Sequence, residues 1–144
     1  MNLTFRSATI QDAPVILEQA RELIERYEDP VLVDIPRVLC WMENKIIKEI
    51  SQYTCVLRDG ETVAYFRLDQ SQNPAELDDF YVLPTYRGQG IGSKILEMLI
   101  SELKTPVFLY VFKANLPAVR LYEKFGFVHR EDVSKTRGIL VRNS

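Results

Sequence analysis

Between an apolar-rich strand and a helical pattern lies Arg87-Gly88-Gln89-Gly90-Ile91-Gly92-Ser93, a spacing suited to holding a diphosphate. A helix N-terminus offers unpaired N–H groups and a partial positive charge, and glycines let backbone approach phosphate oxygens without a Cβ in the way. The N–H groups of Gly88, Gln89, Gly90, Ile91, Gly92 and Ser93 are the candidate donors, with Arg87 adding a cation, and such anion binding needs no metal. Two other phosphate loops fail on spacing. A Walker A loop needs Gly-Lys-Ser/Thr where this chain has Ser93-Lys94-Ile95. A dinucleotide fingerprint needs a third glycine where Ser93 stands and an acidic residue at the end of the next strand, and Val107 to Phe112 offers none.

A second constellation follows in Asn115-Leu116-Pro117-Ala118-Val119-Arg120-Leu121-Tyr122-Glu123-Lys124-Phe125-Gly126-Phe127. Taken alone, Asn115 is a good helix N-cap and Tyr122, three residues after Val119, could simply pack in a core. Taken together, Arg87-x-x-Gly90-x-Gly92 resembles the Arg/Gln-x-x-Gly-x-Gly/Ala motif of the GCN5-related N-acetyltransferases. The Asn115 to Phe127 segment is similar to that family's other signature, in the same order and at the usual separation. The resemblance implies acetyl-coenzyme A as co-substrate and an N-acetyltransferase that moves acetyl to a primary amine by direct attack in a ternary complex. It implies that the backbone of Phe80, Tyr81 and Val82 pairs with the pantetheine amides like an added strand. It also implies that Asn115 touches the cofactor arm, a role compatible with capping, and that Tyr122 lies near the thioester sulfur and protonates it. A phenol of ordinary pKa about 10 stays protonated at neutral pH, as that role requires.

The amine must be neutral to attack, since a lysine-like ammonium of pKa about 10.4 has no lone pair. Some relatives carry a glutamate five residues before the asparagine, but here Tyr110 stands there. The substitutes are Glu76 and Asp78. Alternation puts both on one face of their strand with Phe80 and Val82, and turns Asp79 the other way. Glu76, acting through water, is the chosen base, with Asp78 or no dedicated base as alternatives. The acidic run Glu76, Asp78, Asp79 can attract a cationic acceptor or merely keep a strand end soluble.

The elements that must position these residues follow from periodicity and punctuation. Leu3 to Ser7 reads as a strand. Thr9 with Asp12 three residues on marks the start of a helix from Ile10 to about Tyr27, stopped by Glu28-Asp29-Pro30. A second helix runs from Pro36 to about Ile50, and the connection between the two is the expected mobile lid. Tyr53 to Arg58 and Glu61 to Leu68 form a hairpin around Asp59-Gly60, and Gln70 to Pro74 is the next turn. A strand from Ala75 to Val82 leads into the glycine loop. A helix from Gly90 to Leu103, a strand from Val107 to Phe112, a helix from Pro117 to Phe125 and strands near Val128 to Ser134 and Ile139 to Arg142 complete the chain. The order is similar to the acetyltransferase fold, an α/β (α+β) class with a mixed, mostly antiparallel central sheet flanked by about four helices. In that family the strand before the loop and the strand after its helix diverge to admit the pantetheine arm.

With 144 residues, 47% apolar and 26% charged, the chain suits a single domain spanning 1–144 with a real core. No apolar run is long enough to span a bilayer and no secretory signal opens the chain, so a cytoplasmic protein with no membrane partner is expected. A net charge of −2 argues against a general nucleic-acid binder. Residues 1–80 carry 8 basic and 15 acidic side chains, net −7, and residues 81–144 carry 10 and 5, net +5, so a polyanionic cofactor suits the second half. Cys40, Cys55 and His129 have no metal-site spacing; both cysteines are expected as buried thiols and no metal is expected. Protein N-termini, lysines, polyamines and small amines all remain open as acceptors, and a homodimer is compatible with the chain. The alternative to an enzyme is a catalytically inactive acyl-coenzyme A sensor or regulatory module, followed by a scaffold that binds no cofactor.

Overall fold

The computed structural model describes residues 1–143. Strands β1 (Leu3–Ser7), β2 (Tyr53–Arg58), β3 (Glu61–Asp69), β4 (Ala75–Val82), β5 (Val107–Phe112), β6 (Val128–Asp132) and β7 (Arg137–Arg142) form one sheet in the order β1-β2-β3-β4-β5-β7-β6. The pairs β1/β2, β2/β3, β5/β7 and β6/β7 are antiparallel, while β4/β5 is parallel. The helices are α1 (Ala13–Tyr27), α2 (Ile35–Lys48), α3 (Ile91–Glu102) and α4 (Leu116–Lys124). The chain divides into two compact units, Met1–Arg67 with Asp79–Leu83, and Leu68–Asp78 with the chain from Pro84 on; β3 and β4 run through both.

In the first unit, Ile16, Ala20 and Ile24 of α1 and Met42 and Ile46 of α2 are buried, as helical spacing requires, together with Tyr53, Cys55, Val56, Val63 and Ala64 of the sheet. Burying each large side chain contributes roughly 1.5–3 kcal/mol. Cys40 lies on the opposite face of α2 and is exposed, so the expectation of two buried thiols holds for Cys55 alone. The hairpin turn is as its residues dictate, with φ of 53° at Asp59 and 81° at Gly60.

The first helix departs from expectation at its start: Ile10–Asp12 is a 3-10 turn and the α-helix begins at Ala13. Pro14 has no N–H to give the carbonyl of Ile10, which accepts the Ala13 N–H instead. Asp12 does more than cap. Its carboxylate accepts from the Thr9 N–H (2.8 Å), from both Arg6 guanidinium nitrogens (3.1 and 3.2 Å) and from the Tyr65 hydroxyl (2.9 Å). Burial pulls its pKa upward, but the hydrogen bonds from Arg6, Thr9 and Tyr65 outweigh that and hold it down at about 2. The neighbouring Cys55 thiol is pushed up to about 11, by burial first and by the Asp12 charge second. The connection between α1 and α2 is a hydrogen-bonded turn built on Asp29, which accepts from the N–H groups of Val31, Leu32 and Val33.

In the second unit, Ile91, Ile95, Leu96 and Leu99 of α3 are buried, as are Ala75 and Leu77 of β4, Val107, Leu109 and Val111 of β5, Phe127 and Leu140. No helix among the described residues is long and apolar enough to cross a membrane.

Candidate active site

The glycine loop adopts the conformation its residues imply. A 3-10 turn, Pro84–Tyr86, leads to Gly88 at φ 75° and Gly90 at φ 80°, left-handed values that glycine reaches without strain. An added Cβ at either position would meet no atom within 4 Å, so the space over both glycines is open. Gly90 caps α3, and the first bond of that helix runs from the Lys94 N–H to the Gly90 carbonyl at 3.1 Å. The N–H groups of Ile91, Gly92 and Ser93 therefore precede the helix's own ladder, where an anion is favoured.

Upstream, hydrogen-bond pairing of β4 with β5 covers only Ala75↔Val107 and Glu76↔Phe108. Burial in β4 alternates as far as Asp78, with Ala75 and Leu77 buried and Glu76 and Asp78 half-buried, and then the alternation stops. Its cause is Asp79, which has φ 47° in the middle of the strand. A left-handed residue breaks the period of two, so the expectation that Phe80 and Val82 share a face with Glu76 and Asp78 loses its basis. Nor is Asp79 a solvated surface charge. Its side chain is 6% exposed and its carboxylate accepts from the Lys45 ammonium (3.2 Å), the Tyr53 hydroxyl and the Tyr81 hydroxyl (2.7 Å). Asp79 is thus committed to α2 and β2 within the first unit, and the acidic run expected to attract an acceptor shortens to Glu76 and Asp78. The side chains of Phe80, Tyr81 and Val82 are half-buried.

Downstream, Asn115 occupies the N-cap position of α4, but its side chain makes no capping bond to the helix. Tyr122 lies two turns along the same helix, buried, with its ring edge-on to Phe127 at 5.6 Å. Burial raises its pKa well above the ordinary tyrosine value, and the Asp78 charge raises it further. Asp78 is thus the carboxylate whose field reaches the phenol. Tyr110 is 44% exposed, its ring 5.8 Å from and nearly perpendicular to that of Phe108, with the Arg137 guanidinium over it at 5.5 Å. The loss of the glutamate at this position was visible in the sequence, but the Arg137 contact depends on strand register and carried no sequence signal. Among the described residues no cluster of three or more His, Cys, Asp or Glu side chains could hold a metal ion.

Residues 17–127 match the model of the acetyltransferase (GNAT) family, and the chain belongs to that family. Its mostly antiparallel seven-stranded sheet with four helices is that family's fold. The crystal structure of PaiA N-acetyltransferase from Thermoplasma acidophilum in complex with coenzyme A has the same fold, with a TM-score of 0.72 at 22% identity over 100% of each chain. The chain is 36% identical over 64 residues to spermine/spermidine N(1)-acetyltransferase of Bacillus subtilis, a match covering 41% of this chain and 42% of that protein. It is 38% identical over 68 residues to thialysine N-epsilon-acetyltransferase of Mus musculus, covering 44% of this chain and 38% of that protein. The matches thus span less than half the length of these curated relatives.

Proposed function

We propose that this chain is an acetyl-coenzyme A-dependent N-acetyltransferase acting on a primary amine, with residues 1–144 as one domain. The observation that carries the reading is the loop at Gly88 and Gly90, open above both glycines and leading into a helix whose first N–H groups precede its own ladder. In this reading the backbone N–H groups from Gly88 to Ser93, with Arg87, hold the diphosphate. The backbone of Phe80, Tyr81 and Val82 pairs with the pantetheine amides, and Asn115 touches the same arm. The acceptor nitrogen attacks the thioester carbonyl carbon, a C–N bond forms, the C–S bond breaks, and the thiolate takes a proton.

Tyr122 supplies that proton. Its raised pKa keeps the phenol protonated, and makes full transfer to a thiolate of ordinary pKa about 8.5 uphill. Its first service is therefore a hydrogen bond to the sulfur as charge builds, with transfer following as the bond breaks. Glu76, through water, takes the proton the amine loses, and Asp78 is the alternative base. The relatives named for spermine/spermidine and for thialysine support an amine acceptor.

One observation favours a second reading, a sensor that binds acyl-coenzyme A without turnover: Tyr110 stands where some relatives place a glutamate base. Thiol release from acetyl-coenzyme A across a panel of amines, with coenzyme A binding followed by calorimetry, separates the two. Turnover of an amine supports the enzyme, binding without turnover supports the sensor, and no binding refutes both.

A further inference from the structure

One face of β5 and β7, half-buried except at the exposed Tyr110 and Arg137, carries a graded row of side chains apart from the glycine loop and Tyr122. Residues paired across neighbouring strands share a face, and every second residue returns to it. The register pairs Glu76 with Phe108, Phe108 with Val141, Tyr110 with Ile139 and Phe112 with Arg137, so all seven lie on one face. Along it stand a carboxylate at Glu76, the edge-on rings of Phe108 and Tyr110, and the guanidinium of Arg137 over the Tyr110 ring. None of the ion pairs of the described residues includes Arg137, which is exposed and held by the aromatic face rather than by an acid.

We infer that Arg137, with Tyr110 as its platform, selects an acceptor that carries a carboxylate at the end remote from its reactive amine, a zwitterionic amino acid of the lysine type. This rests on the acetyltransferase reading and deepens it. The amine end of such a molecule lies a water away from Glu76, its methylene stretch lies on the Phe108 and Tyr110 rings, and its carboxylate takes a charge-assisted hydrogen bond from Arg137. A polyamine fits less well, because its far end is a second cation and would face Arg137 as a like charge. The planar guanidinium of arginine binds carboxylates through a fork of N–H donors, which a lysine ammonium lacks.

The test uses the full chain with acetyl-coenzyme A and compares matched amines by thiol release: lysine against 1,5-diaminopentane, which is lysine without its carboxylate, and thialysine against bis(2-aminoethyl) sulfide, which is thialysine without its carboxylate. Lysine and thialysine should exceed their carboxylate-free counterparts in kcat/KM by about tenfold or more, the worth of one hydrogen bond to a charged group, chiefly through KM. Arg137→Gln should bring the ratio of lysine to 1,5-diaminopentane close to one, and Arg137→Lys should restore part of it. Equal or better turnover of the carboxylate-free amines, or a ratio that Arg137→Gln leaves intact, overturns the inference while the acetyltransferase reading stands. Coenzyme A binding with no turnover of any amine overturns it as well. Failure to bind coenzyme A refutes the parent reading itself.

Discussion

Gly60 and Gly90 form a matched pair on which the phosphate role of the loop can be measured. Their backbones are nearly the same, at φ 81° and 80°, and an added Cβ at either meets no atom within 4 Å. Alanine at a left-handed position costs roughly 1–2 kcal/mol, so Gly60→Ala and Gly90→Ala should lower the Tm of the free protein by similar amounts, roughly 3–8 °C for a chain of this size. Gly90 also caps α3, where alanine is a poorer choice than glycine, which places its variant toward the upper end. The two variants part when the cofactor is added. Gly60 is in a hairpin turn of the first unit, whereas a methyl on Gly90 would occupy the open space assigned to the diphosphate. Titration calorimetry with coenzyme A should therefore find wild-type affinity in Gly60→Ala. In Gly90→Ala it should find a loss of about tenfold or more, equivalent to about 1.4 kcal/mol. Because the Tm of each free variant reports its strain separately, a loss of affinity out of proportion to the difference in Tm cannot come from instability. Equal affinity in the two variants would refute the assignment of the loop.

Tyr122→Phe should lower kcat by about tenfold or more while leaving coenzyme A affinity within about twofold, since it removes a donor used chiefly in the transition state; an unchanged rate measured by thiol release would remove Tyr122 as the acid. The same raised pKa predicts that the rate of the wild-type enzyme shows no fall from Tyr122 ionisation up to about pH 10, the ordinary tyrosine value, in a pH profile. Asp12 has a folded pKa of about 2 against an ordinary value of 3.8, so its contribution is complete above pH 3.8 and is lost as pH falls toward 2. It amounts to at most about 2 kcal/mol, because Arg6 is partly exposed, and urea unfolding of Asp12→Asn should show a matching loss at pH 7 that shrinks with acid. Asp79→Asn removes the carboxylate held 3.2 Å from the Lys45 ammonium, and both side chains are largely buried, at 6% and 14% exposed. Each single change, Asp79→Asn or Lys45→Met, should cost about 3–5 kcal/mol in urea unfolding and the double change less than their sum.

The parts of this molecule that were legible in its sequence are those whose requirement is local to a residue. Asp59-Gly60 can form a tight hairpin whatever surrounds it, and Gly88 and Gly90 can take left-handed values that few other residues accept, so the turn and the loop follow from residue type. The buried stripe of α3 follows from periodicity in the same way. Asp79 shows where such reasoning ends. Counting by two assumes an unbroken strand, and a left-handed Asp in the middle of β4 breaks it; Asp tolerates that region better than most residues. Its partners Lys45 and Tyr53 come from α2 and β2, distant in sequence, so nothing local announced that this carboxylate was already committed. Asp12 is the same case at the other end of the first unit, legible as a helix-start residue and illegible as the acceptor for Arg6 and Tyr65. For Tyr122 the spacing from Asn115 was visible, but the burial that sets its acidity is a property of the packed core. A site built from backbone can thus be read from glycines. The row Glu76, Phe108, Tyr110 and Arg137, inferred above to choose the acceptor, is formed from side chains on three strands and exists only once the register aligns them.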